Sequence, residues 1–152
     1  MSKSYFQDDA RYLAFFGRQL FSVIFIIASA GHFTAGNIAL AAEHGVPLAG
    51  LLVPVSGIIA LMGGLSVLFG FRARIGGALL VVFLVPVTFT MHNFWAATDA
   101  AAFWLQLLLF LRNLALLGCA LQVRSVGAGS LSLDAAIQSR RLEGRLEADT
   151  AV

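Results

Sequence analysis

Apolar runs without a charged side chain recur along this sequence, at residues 19–31, 46–71 and 75–91, and a fourth at 100–123 is broken only by Arg112. A bilayer core needs about 20 apolar residues per helix at 1.5 Å rise. The shortest complete run, 75–91, reaches roughly 25 Å, so it crosses with little length to spare for tilt. Hydrophobic residues make up 59% of the chain and charged ones only 12%, and the mean hydropathy is +0.87. That balance lies outside the range of soluble domains. The expected fold is all-α: a bundle of four transmembrane helices at about 12–35, 47–71, 75–92 and 100–123, followed by a polar tail at 124–152.

The first segment carries basic residues, an apolar core and Ala28-Ser29-Ala30, which are ingredients of a cleavable signal. Its leading region is long, however, and Asp8, Asp9 and Arg18 mix its sign, so a retained helix is expected instead. Of ten basic residues, nine fall before the first run, between the second and third, or after the fourth. None falls in the other two connections. Short loops rich in Lys and Arg stay in the cytoplasm, which puts both termini and the middle loop inside. The pI near 9.2 therefore reports membrane orientation and not nucleic-acid binding.

Helices in lipid associate through small residues at helical spacing, because burial of apolar surface no longer drives them together. Ser56, Ala60 and Gly64 provide such a row in the second segment, Gly76 and Gly77 open the third, and Ala115 and Cys119 offer one in the fourth. Pro54 and Pro86 each remove a helical hydrogen bond and are expected to kink against protein. A single cysteine gives no disulfide and no dithiol pair, so Cys119 reads as a packing residue. In the tail, Ser132 can cap a short helix over 133–147, but its amphipathic pattern is weak and a loose basic tail near anionic headgroups is expected.

The polar residues inside or beside the apolar runs are few. His92, Asn93 and Trp95 end the third run, and His32 ends the first. His44, Glu43 and Asp99 lie on the same side. Trp and polar groups gather at membrane interfaces regardless of function, so this group reads either as an anchor or as a site. Paired histidines on separate helices can ligate a haem, yet the spacing of His32 and His92 fixes neither distance nor facing, and no metal motif is present. Arg112 lies halfway along the fourth run, about 18 to 20 Å from either end, where burial costs roughly 2.5 to 3.5 kcal/mol. No spanning segment contains an acid to pair with it. Asn113 and Gln106, seven residues apart, share a face with one another. Arg18, near the inner edge, reads as an anchor.

The stretches "FFGRQLFSVIFIIASAGHF", "LMGGLSVLFGFRARIGG", "FLVPVTFTMHNFW" and "FLRNLALLGCAL" together resemble the DoxX family of small four-helix membrane proteins, from about Gly17 to Gln122. The resemblance implies a bacterial inner-membrane subunit associated with quinone-linked oxidation, working beside an oxidoreductase partner or as a homo-oligomer. Two departures are visible: Ala60 stands where many members carry a glutamate, and Arg112 where many carry a lysine. Loss of that acid removes a plausible proton carrier from the second helix. On this reading His92 and Asn93 would hydrogen-bond a quinone carbonyl, His32 or Asp99 would manage a proton, and Arg112 would stabilise charge on the reduced ligand. Phe89, Phe94 and Trp95 would form apolar walls, with Asn113 beside Arg112. The alternative is a non-enzymatic scaffold or a small-solute or anion carrier, in which Arg112 is the binding charge.

The charge pattern predicts that, in a Cys119→Ala background, a cysteine at Glu43 reacts with a membrane-impermeant maleimide added outside intact cells, while one at Ser130 does not. The reverse labelling would overturn the orientation.

Overall fold

In the computed structural model, which describes residues 2–150, four helices are long and apolar enough to cross a membrane. They are α1 (Ser2–Gly31), α3 (Ala49–Phe69), α4 (Ala73–Met91) and α5 (Ala100–Val126). A short helix, α2 (Ala35–Glu43), joins α1 to α3, a 3-10 turn at Phe94–Ala96 joins α4 to α5, and α6 (Leu133–Thr150) forms the tail. An even number of crossings puts the described ends of the chain at one end of the bundle, and α2 and the 3-10 turn at the other. The first crossing stops at Gly31, earlier than residue 35, because Thr34 starts a new helix. Its extended backbone and its hydroxyl, which accepts from the Asn37 N–H, make it the N-cap of α2.

The crossings pack as a row: α1 on α3, α3 on α4, and α4 on α5. Among the described residues α5 and α1 form no interface of comparable extent. The central helix, α3, presents glycine to both neighbours, and any Cβ there would intrude. At Gly64 it would lie 3.3 Å from the Ser22 carbonyl of α1, and at Gly63 3.2 Å from the Gly76 carbonyl of α4. Ala60, Val67 and Leu80 are completely buried at these contacts. On α5 the contact row differs from the expected one. Ala120 is buried against Gly77, whereas Ala115 and Cys119 are exposed, so the cysteine does not pack the bundle. Only 6% of the most apolar window of α5 is buried, against 33% for α3 and α4.

At the terminal end a polar network locks three connections together. Arg18 is only 6% exposed; it donates from Nη2 to the Leu131 carbonyl at 2.9 Å and its guanidinium packs on the Phe15 ring. It is therefore an internal clamp, and the expectation of a surface anchor fails because its partner lies 113 residues away in sequence. Gly70, left-handed at φ 64°, caps α3 where a side chain would overlap Arg18. Its carbonyl accepts from the Asp134 N–H at 2.9 Å, and the Asp134 carboxylate accepts from the N–H groups of Arg72 (2.7 Å) and Ala73 (3.1 Å) at the start of α4. Arg72 takes left-handed backbone at φ 49°, a conformation that costs a non-glycine residue about 1–2 kcal/mol and that the charged cap offsets. The start of the tail is thus docked, with Ser132 capping α6 through the Ala135 N–H.

The α4–α5 contact yields a stability prediction. A Cβ on Gly77 would meet the Arg124 nitrogen at 2.8 Å and the Ala120 carbonyl at 2.9 Å, both backbone atoms, whereas Gly118 faces open space. Gly77→Ala should destabilise the detergent-solubilised protein by about 1–3 kcal/mol, and Gly118→Ala should be neutral or slightly stabilising. Equal melting temperatures for the two variants would contradict this packing.

Candidate functional site

Because α5 and α1 do not close on each other, a cavity of about 610 Å³ remains between them at the end away from the termini, backed by α3 and α4 and reached by α2. Phe25, Ile59, Phe83, Val87 and Leu116 form apolar walls, and Leu40 of α2 lies at its margin. Its size falls in the range of small-molecule sites. Into this apolar space the fold brings seven polar side chains: His32, Asn37, Ser56, Thr90, His92, Arg112 and Asn113.

The two histidines present acceptors. His32 follows the last turn of α1, and its Nδ1 lies 3.1 Å from the Ala28 carbonyl. A carbonyl oxygen can only accept, so Nδ1 carries the proton and the neutral ring is left with a basic Nε2. The ring stands edge-on to Phe83 with centroids 5.5 Å apart, and bare Gly57 lets it ride over α3, since a Cβ there would come within 2.6 Å of the His32 Cβ. His92, at the C-terminal end of α4, donates from Nδ1 to Gln106 Oε1 at 3.1 Å. Gln106 is therefore the orienting partner of His92 and does not line the cavity alongside Asn113. In both rings the free nitrogen accepts, so neutral His92 does not offer an N–H to a ligand carbonyl.

Donors lie deeper. Asn113 is buried on α5, and its Oδ1 receives both Nε (3.3 Å) and Nη2 (3.2 Å) of the neighbouring Arg112. The guanidinium thus folds back on its own helix at mid-depth instead of running to an interface. Hydrogen bonds to a charged group contribute about 1.5–3 kcal/mol, comparable to the insertion cost of the cation, but these are long. No protein acceptor engages Nη1 among the described residues. Nor do the carbonyls freed by the prolines serve Arg112; Pro86 and Val82, whose carbonyl it leaves without a helical partner, line the cavity themselves.

Three residues of the expected site stand elsewhere. Asp99 caps α5, its carboxylate accepting from the Ala102 N–H at 2.9 Å. Trp95 is 57% exposed and packs edge-on against Phe94 and Phe110, so it belongs to an aromatic belt with Phe89, which meets Phe110 at 5.5 Å. Asn93 precedes the 3-10 turn, and its backbone carbonyl accepts from the Ala96 N–H; its side chain does not line the cavity. The "MHNFW" stretch is thus divided, with His92 turned to the cavity and Phe94 and Trp95 to the membrane edge. Conversely, Asn37 and Thr90 are cavity residues the sequence did not single out. Asn37 also donates to the Gly31 carbonyl at 2.8 Å, tying α2 to the end of α1. Its signal was the Thr34 cap three residues earlier.

Comparison with known proteins bears on this arrangement. No solved structure matches the chain. It is 31% identical over 120 residues to the inner membrane protein YqjF of Escherichia coli strain K12, covering 77% of this chain and 85% of that protein. The DoxX family profile matches residues 13–93, which spans α1 to α4 and stops short of Arg112 and Asn113. An integral membrane bundle of four apolar helices, matched by that profile over more than half of its length, belongs to the DoxX family.

Proposed function

We propose that this protein is an inner-membrane subunit that holds a quinone, or a chemically similar lipid-soluble ligand, in the cavity between α1 and α5, in support of an electron-transfer partner. The observation that carries the reading is the division of polar groups within one apolar space: imidazole acceptors at the loop end, and an arginine–asparagine donor pair at mid-depth. A ring bearing two oxygens fits that division in its reduced form, with one hydroxyl donating to a histidine Nε2 and the other oxygen accepting from Arg112. Bound there, such a group supplies two-electron chemistry to the partner.

The residues of the chain have separable tasks. His92, held by Gln106, and His32, held by the Ala28 carbonyl, are oriented to take a proton at Nε2. Arg112 stabilises negative charge on the ligand oxygen, and does so more strongly in an apolar surround than in water. Phe25, Phe83 and Val87 exclude water. Asp99 caps α5 through Oδ1 and does not line the cavity, so this reading gives it no proton to handle. With one cysteine there is no dithiol in the chain, and on this reading it acts as an accessory binding subunit beside its electron-transfer partner. The inner-membrane location follows the name of its relative YqjF. Arg112, an exposed residue that lines the cavity, also favours a second reading, a scaffold or anion carrier in which the ligand is a small anion.

Variants of Arg112 separate these readings. After purification in mild detergent, an organic extract of the wild type should contain about one quinone-class molecule per chain. Arg112→Leu should lose at least roughly tenfold of it, the loss of a charge-assisted hydrogen bond, while its melting temperature stays level or rises. Arg112→Lys should keep part, since the ammonium retains charge without the planar fork. If Arg112→Leu unfolds, Arg112→Lys is stable and no extract contains a quinone, the cation is structural; retention of a small anion by wild type alone would favour the carrier.

A further inference from the structure

A second cleft, of about 700 Å³, lies at the opposite end of the bundle, between the start of α4 and the loop that leads into α6. Arg72 and Arg74 line it together with Gly127, Ser130 and Gln138. Both arginines are exposed. Asp134 is the carboxylate in the cleft, and its two oxygens are already used by the N–H groups of Arg72 and Ala73. Among the described residues no acceptor engages either guanidinium; that of Arg72 lies over the Phe71 ring, its carbon 5.8 Å from the centroid. With two cations and one spent anion, the cleft keeps a net positive charge.

The surroundings define what suits that charge. Exposed apolar side chains flank the arginines: Phe69 (57%), Phe71 (47%), Ile75 (54%) and Val126 (67%). Ile75 and Val126 belong to spanning helices and also line the cleft itself. Guanidinium groups beside hydrocarbon-facing residues sit at headgroup depth, where planar forks bind phosphate oxygens. Gly127 and Gly129 both have positive φ, and at Gly127 the loop passes Arg74 as bare backbone. A Cβ on Gly127 would touch the Arg74 Nε at 3.5 Å.

We infer that this cleft is a binding site for the phosphate headgroup of an anionic phospholipid, held between Arg72 and Arg74, with its acyl chains lying against Ile75 and Val126. It is independent of the α1–α5 cavity and of the ligand proposed there. Occupancy would tie the α3–α4 loop to the docked start of the tail, because Arg72 and Asp134 share the network that also fixes Arg18.

Native mass spectrometry of the protein in mild detergent tests the site, with phosphatidylglycerol and phosphatidylcholine as probes. Wild type should hold one phosphatidylglycerol more tightly than phosphatidylcholine. Arg72→Gln/Arg74→Gln should weaken it by roughly tenfold or more, from two lost charges near the surface, and Arg74→Gln alone by a smaller factor. Arg140→Gln/Arg141→Gln, which removes equal charge from α6 outside the cleft, should change it by less than about threefold. Should the two double variants lose the lipid equally, binding is nonspecific attraction and the site is overturned. The same holds if all variants retain it, or if millimolar inorganic phosphate displaces the lipid completely, which would identify free phosphate as the ligand. Circular dichroism melts of Arg74→Gln, which leaves the left-handed Arg72 intact, keep a folding defect distinct from loss of binding.

Discussion

Close approach of backbones along α3 is the contact on which the rest of this fold depends. In hydrocarbon, side-chain burial gives helices no net reason to associate, so packing must come from surfaces that interlock. Gly57 and Gly64 face α1, Gly63 faces α4, and the completely buried Ala60 and Val67 lie among them. A helix with small residues on two sides becomes the hub of a row. The last crossing, α5, packs on α4 with its closest backbone approach at Gly77, and little of its most apolar window is buried.

An open row has a functional consequence that a closed four-helix ring would not. Where α5 and α1 would have met, the fold leaves a cavity of about 610 Å³ whose walls are apolar and whose polar groups converge from the turn after α1 and from α2, α3, α4 and α5. A mid-membrane arginine in a closed bundle would need an acid beside it. Here Arg112 takes Asn113 Oδ1 as a partial partner and keeps part of its donor capacity. The polar content of the cavity, and not its volume alone, separates it from a packing defect, since an unneeded arginine would be costly to retain at that depth.

The spans themselves were legible because hydropathy is a local property: four apolar runs in the sequence became four crossings. The α1 boundary was misplaced by the Thr34 cap, a one-residue signal inside an apolar stretch. The shared level of His32 and His92 was also legible, since both end apolar runs at the same side. Which neighbours turn inward was not, because level fixes depth but not facing. Trp95 and Asn93 sit within three residues of His92 yet stay outside the cavity, and Asp99 is spent on its own helix. Arg18 marks the limit most clearly. Its position near the membrane edge read as an anchor, whereas its partner is the Leu131 carbonyl, a pairing no local pattern encodes.

The most direct test of this account fills the cavity without touching its polar groups. Ala28 lines it from α1, whereas Ala115 is exposed on α5 and does not line it. Equilibrium binding of a short-tailed quinol to the purified protein should weaken by at least about tenfold in Ala28→Phe, the effect of roughly 1.4 kcal/mol of lost contact, and remain at the wild-type level in Ala115→Phe. Equal affinity in Ala28→Phe and wild type would contradict the claim that this space is where the ligand sits.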